Sequence, residues 1–127
     1  MIGITDALNL LSRDLREFGY KVYKSYDKPQ GLEECIVINA DSLQSSTYFK
    51  KGFINVNCIT PNFKTNDATN YPKLNEFEKI SQKMDRVGVY KDITYKYDVD
   101  GVAIFREDNG SSFLNIRILF EILNTKK

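Results

Sequence analysis

"YDVDGVAIFREDNGSSFLNIRILFEIL", from Tyr97 to Leu123, is the stretch whose reading decides the fold. Asp98, Asp100, Glu107 and Asp108 crowd around an Asn109-Gly110 pair that separates two apolar runs. Asn-Gly is the favoured pair for a two-residue type I′ turn, because both turn positions need positive φ. The spacing therefore predicts a β-hairpin, with "GVAIFRED" as one arm and "SSFLNIRILFEIL" as the other. In the second arm Leu114, Ile116, Ile118, Phe120 and Ile122 share one wholly apolar face. Phe113, Asn115, Arg117, Leu119 and Glu121 share the other, mixed face. Such a strand belongs inside a sheet that packs helices on its apolar side.

Working outward, Ile4, Leu8, Leu11, Leu15 and Phe18 form one stripe of a helix over about residues 4–18. Thr5 or Asp6 suits its start and Gly19 its end. Arg13, Asp14, Arg16 and Glu17 fall on the opposite, polar face. "YKVYKSY" and "ECIVINA" read as strands, joined by a turn at "YDKPQG". "DSLQSSTYFKKG" reads as a loop or extension. "FINVNCIT" is an alternating strand, with Phe53, Asn55, Asn57 and Ile59 on one side and Ile54, Val56, Cys58 and Thr60 toward the core. Pro61–Pro72 is a polar linker of a length that is often functional. Pro72 opens a second helix, whose apolar stripe Leu74, Phe77, Ile80, Met84 and Val87 ends near Gly88. "DITYKYDV" reads as a further strand. The expected fold is α+β in the order α-β-β-β-α-β-β-β: a mixed, mainly antiparallel sheet of five to six strands with two helices on one face.

The length of 127 residues, with 42% hydrophobic and 28% charged content, fits a single domain over residues 1–127. A net charge of +1 is no electrostatic footprint for nucleic acid. The first residues lack a basic leading region and no run is apolar for long enough to span a bilayer, so a cytoplasmic compartment is expected. Cys35 and Cys58 lie in apolar runs and read as buried thiols. A disulfide between them requires their strands to be neighbours. The Asn109-Gly110-Ser111 sequon has meaning only with secretion.

The chain has no histidine. That removes the commonest general base, the Ser-His-Asp and Cys-His arrangements and most zinc sites. Neither a phosphate-binding loop nor a dinucleotide fingerprint is present. Asp98, Asp100 and Glu107 are the candidates for a metal-dependent nuclease, whose carboxylates must converge on ions about 4 Å apart. Their spread along a hairpin favours a solvated rim instead. Tyr90, Tyr95 and Tyr97, with Lys91 and Lys96, suit either base stacking or cross-strand packing. Phe53, Asn55, Asn57, Phe113, Asn115, Arg117 and Leu119 compose a sheet face rich in aromatics, amides and one Arg. That composition fits a subunit interface or a face covered by a loop. No catalytic, cofactor-binding or metal-ligating residue is assigned, and no cofactor is expected.

In layout the chain resembles the tail terminator (tail completion) proteins of long-tailed bacteriophages, and related neck proteins and injection-system caps. The shared order runs through an amphipathic N-terminal helix, strands like "YKVYKS", "ECIVINA" and "FINVNCIT", a helix like "KLNEFEKISQKMDRV" and the final hairpin. The resemblance implies a non-enzymatic virion or prophage protein. It implies a homohexameric ring that caps the tail tube, contacts the head-side connector in head–tail joining, and sits in the virion neck after assembly in the host cytoplasm. It implies no membrane and no specific nucleic acid as partner. "DSLQSSTYFKKG" is shorter than the hairpin excursion of some ring-forming relatives. Two other classes stay open beside it: a small nuclease using Asp98, Asp100 and Glu107, and a regulatory binding module using Pro61–Pro72 and the tyrosines.

Overall fold

The computed structural model describes residues 3–24, 33–40 and 51–124. The expected turn at "YDKPQG" and most of "DSLQSSTYFKKG" lie outside them. The elements are α1 (Ile4–Arg16), β1 (Val22–Lys24), β2 (Cys35–Ala40), β3 (Lys51–Pro61), α2 (Tyr71–Ser81), β4 (Arg86–Tyr90), β5 (Ile93–Arg106) and β6 (Ser111–Asn124). The fold is α+β, as expected; among the described residues it has two helices and one mixed six-stranded sheet in the order β1-β2-β3-β6-β5-β4. β1 runs parallel to β2, and every other neighbouring pair is antiparallel.

Period-two alternation builds the core side of this sheet. Ile36 sits opposite Cys58 and Ile38 opposite Val56. Across the next seam Ile54, Val56 and Cys58 face Ile118, Ile116 and Leu114. These side chains join Ala7, Leu10, Leu11 and Leu15 of α1 and Leu74, Phe77 and Ile80 of α2 in one apolar cluster. α1 packs on β1 and β2; α2 packs across β3, β5 and β6. Asp6 accepts from the Gly3 N–H at the start of α1, and the Asn70 side chain caps α2 by accepting from the Lys73 N–H. Gly19, with φ +87°, turns the chain after α1. Lys73 then bridges to Glu34 and Glu76 while its ammonium lies over the Tyr20 ring, which ties α2 to the base of β2.

Four features differ from the reading of the sequence. The second helix stops at Ser81; Met84 is buried beyond it, and Val87 belongs to β4. Met84 and Val87 continue a helical spacing, but Val87-Gly88-Val89 also alternates, and tertiary pairing with β5 selects the strand. Next, "DITYKYDV" and "GVAIFRED" form one strand, β5, interrupted by a bulge where Asp100 is the extra residue between Val99 and Gly101. Third, the β5–β6 turn has positive φ at Gly110 alone, and the Glu107 N–H donates to the Ser111 carbonyl. This is a longer loop with a left-handed glycine, not a two-residue type I′ turn. The two-residue turn with positive φ at both positions is Lys91-Asp92, between β4 and β5. Lastly, Asp14 is 5% exposed and belongs to the buried side of α1 rather than its polar face.

Candidate functional site

The mixed face of the sheet is laid out by the register. Phe53 pairs with Leu119, Asn55 with Arg117, Asn57 with Asn115 and Ile59 with Phe113. On the flank, Asn39 lies opposite Asn55 and Val37 opposite Asn57. On the other, Gly101 lies opposite Arg117, Ala103 opposite Asn115 and Phe105 opposite Phe113. Phe53, Asn55, Asn57, Phe113, Asn115, Arg117 and Leu119 therefore stand together on two central strands, all half-buried.

Their polar groups are engaged with one another. Asn115 Nδ2 donates to Asn57 Oδ1 at 2.8 Å and to Asn55 Oδ1 at 3.3 Å. Asn55 Nδ2 donates in turn to Asn39 Oδ1 at 3.3 Å. The chain of amides holds each side chain in one orientation across three strands. Arg117 lays its guanidinium 3.9 Å from the Phe53 ring centroid. A Cβ at Gly101, its cross-strand partner, would meet nothing within 4 Å, so the strand beside Arg117 adds no bulk. Phe105 and Phe113 stack at 5.2 Å at the end of the strip. The strip is thus pre-ordered: apolar at both ends, amide in the middle, with one cation seated on an aromatic ring.

The carboxylates weighed for metal chemistry do not converge. Asp98 sits opposite Leu119 on the mixed face and pairs with Lys96 at 3.6 Å. Asp100 occupies the bulge, and Glu107 lies past the end of β5. Nine residues of nearly extended strand separate Asp98 from Glu107, roughly 30 Å. Among the described residues no group of three His, Cys, Asp or Glu side chains is placed to hold a metal ion. Of the three tyrosines, Tyr90 is half-buried, with the Lys91 ammonium 5.2 Å from its ring centroid. Tyr95 and Tyr97 are 1% and 3% exposed, stacked with Phe120 in the core. Cys35 and Cys58 form no disulfide. They sit on neighbouring strands but on opposite faces, because Cys58 shares the core face with Ile36. Burial pushes the Cys58 thiol up to about 12, which leaves it inert.

Of the expected linker Pro61–Pro72, Pro61 ends β3, Tyr71 and Pro72 open α2, and residues 62–70 form the loop between them. Ser112 Oγ donates to Asn62 Oδ1 at 2.7 Å, and the Asn62 N–H donates to the Gly110 carbonyl at 2.8 Å. Arg106 donates to Thr69 Oγ1 at 2.9 Å and to Asp67 Oδ2 at 2.8 Å. The loop is held to the hairpin tip instead of projecting from it.

Sequence reasoning missed a buried polar node between α1, β4 and β5. Tyr97 Oη donates to Asp14 Oδ2 at 2.6 Å, and Arg86 donates to Asp14 Oδ1 at 2.7 Å. Arg13 reaches both Asp14 and the Tyr95 hydroxyl. Burial pushes the Tyr97 phenol up, and its hydrogen bond to Asp14 pushes it further. Gly88 makes room for this node: a Cβ there would stand 2.5 Å from Tyr95 Oη. The node locks a helix to a sheet edge and has the character of a scaffold.

Compared with known proteins, the chain matches no family model and no curated protein. A solved structure resembles it over 98% of this chain and 100% of its own, with a TM-score of 0.59 and 10% sequence identity. At that identity the likeness shows the fold alone. Among the described residues no helix is long and apolar enough to cross a membrane.

Proposed function

We propose that the chain is a non-enzymatic assembly protein of the tail-terminator class, building a homohexameric ring that caps a phage tail tube and meets the head-side connector. The observation that carries this reading is the pre-ordered strip of Phe53, Asn55, Asn57, Phe113, Asn115, Arg117 and Leu119. Interfaces are enriched in aromatics and Arg and depleted in other charges, and the strip has that composition. In this reading both helices cover the opposite face and leave the strip for a neighbouring subunit or the tube. The protein then works in the virion neck, having assembled in the host cytoplasm.

The test mixes the purified chain with tail tubes and examines them by electron microscopy. Rings at tube ends are expected, and Arg117→Glu is expected to abolish them while leaving the fold intact by circular dichroism. A chain that never associates with tubes, or an Arg117→Glu variant that caps them as well as the parent, overturns the reading.

A further inference from the structure

β4 is an edge strand. It pairs with β5 on one side, and no described strand lies on its other side. Such an edge presents unpaired backbone groups that template pairing with another chain. Edges are commonly blunted by charge or proline, yet both mixed-face positions of β4 are valines: Val87 and Val89 are 62% and 69% exposed.

We propose that β4 is a self-association site, at which a second copy of the chain pairs antiparallel about a two-fold axis through Gly88. The sequence from Asp85 to Lys91 is Asp-Arg-Val-Gly-Val-Tyr-Lys, and it complements its own reverse. With the axis at Gly88, Val87 stands opposite Val89 of the second copy, Arg86 opposite Tyr90, and Asp85 opposite Lys91. Each match occurs twice, once on either side of the axis. The valine pairs bury the exposed apolar surface on the mixed side of the sheet. The Arg–Tyr pairs set side chains that are already held toward α1 beside one another. The outermost pairs join unlike charges. Moving the axis to Val87 or Val89 sets a valine against Asp85 or Lys91 instead, so the register is specified.

The groups are already in position. Arg86 is held by Asp14, and the Tyr90 hydroxyl donates to Asp6 at 3.4 Å, so both side chains are anchored toward α1. The tight Lys91-Asp92 turn sets the end of the strand. A two-fold contact of this kind is closed after two copies and does not propagate. It uses the sheet edge and not the Asn-rich strip, so it stands independently of the ring reading. A contact of five strand residues per copy is at the small end of specific interfaces, so the dimer is in reversible exchange with monomer.

Sedimentation equilibrium across a dilution series of the full chain tests the proposal. A monomer–dimer equilibrium is expected. Asp85→Lys, at an exposed position, sets like charges against Lys91 at both ends and is expected to weaken the dimer on the order of tenfold. Combining Asp85→Lys with Lys91→Asp restores the pairs and is expected to recover most of the loss. Hydrogen exchange gives a second readout, in which the β4 amides gain protection as concentration rises. A chain that stays monomeric across the series overturns the proposal, and so does a dimer indifferent to Asp85→Lys. A dimer lost in Arg117→Glu but kept in Asp85→Lys also overturns it, by moving the contact to the strip. Failure to cap tail tubes with this dimer intact counts against the ring reading alone.

Discussion

Tyr97→Phe isolates a buried hydrogen bond to a carboxylate. The substitution removes one oxygen and leaves the ring stacked with Phe120, at a centroid distance of 6.0 Å. Asp14 Oδ2 then loses the hydroxyl that donates to it at 2.6 Å, while Oδ1 keeps Arg86 and Arg13. The Asp14 side chain is only 7% exposed, so water compensates little. Hydrogen bonds to charged groups contribute about 1.5–3 kcal/mol, and leaving a buried carboxylate oxygen unpaired puts this case near 2–3 kcal/mol. Urea unfolding at neutral pH reads that loss directly. The phenol's pKa is raised in the folded protein above its ordinary value of 10.0. A raised pKa means the folded state holds the proton more tightly, so this contribution is complete below about pH 10 and is lost as pH rises through the folded value. The gap between parent and variant should therefore be constant up to about pH 10 and narrow above it. Tyr95→Phe is the control. Its hydroxyl accepts from Arg13, whose side chain is largely exposed, and its loss should cost less than about 1 kcal/mol. A Tyr97→Phe cost under about 0.5 kcal/mol, or a gap that does not narrow in alkali, would refute this account of the node.

Two further substitutions probe how the sheet edge and the loop are held. Gly88→Ala puts a methyl 2.5 Å from Tyr95 Oη and 2.6 Å from its ring carbon Cζ. Stacking with Phe120 keeps Tyr95 from moving aside, so thermal or urea unfolding should show a loss of about 1–3 kcal/mol. Ser112→Ala removes the donor to buried Asn62 and should cost about 1–3 kcal/mol. It should also speed amide exchange across residues 62–70 while leaving β2 and β3 protected, and uniform exchange across the sheet would show that the loop is not pinned there.

Strong local periodicity was readable in the sequence. α1, β3 and β6 each repeat an apolar position at one spacing over enough residues to exclude the alternative, β2 is a compact β-branched run, and the structure has all four within two residues of the expected bounds. The face assignments in β3 and β6 follow from the same alternation, which is why all seven residues of the strip share one face. β4 was not readable, because Met84 and Val87 satisfy helical spacing and only pairing with β5 decides otherwise. The bulge in β5 carries no local signal: Asp100-Gly101 reads equally well as a turn. The buried state of Asp14 was hidden for another reason. Its charge groups it with Arg13 and Glu17, although at about 100° per residue it lies within about 40° of Ala7, Leu10 and Phe18 on the wheel, and its partners, Arg86 and Tyr97, lie 72 and 83 residues away. A charge becomes interior only through such distant neighbours, and no window of local sequence contains them.

The place of Asp100 in the chain matters more than its carboxylate. As the residue that β5 gains on β6 between Val99 and Gly101, it shifts the phase of the strand after it. Because of that offset Phe105 emerges beside Phe113 and Arg106 emerges on the side of the loop at Asp67 and Thr69. Remove the offset and the aromatic pair and the arginine exchange sides, so the strip loses its stack and the loop its tether in one step. The two surfaces are thus set by a common count along the backbone, and evolution cannot retune the phase of one without disturbing the other.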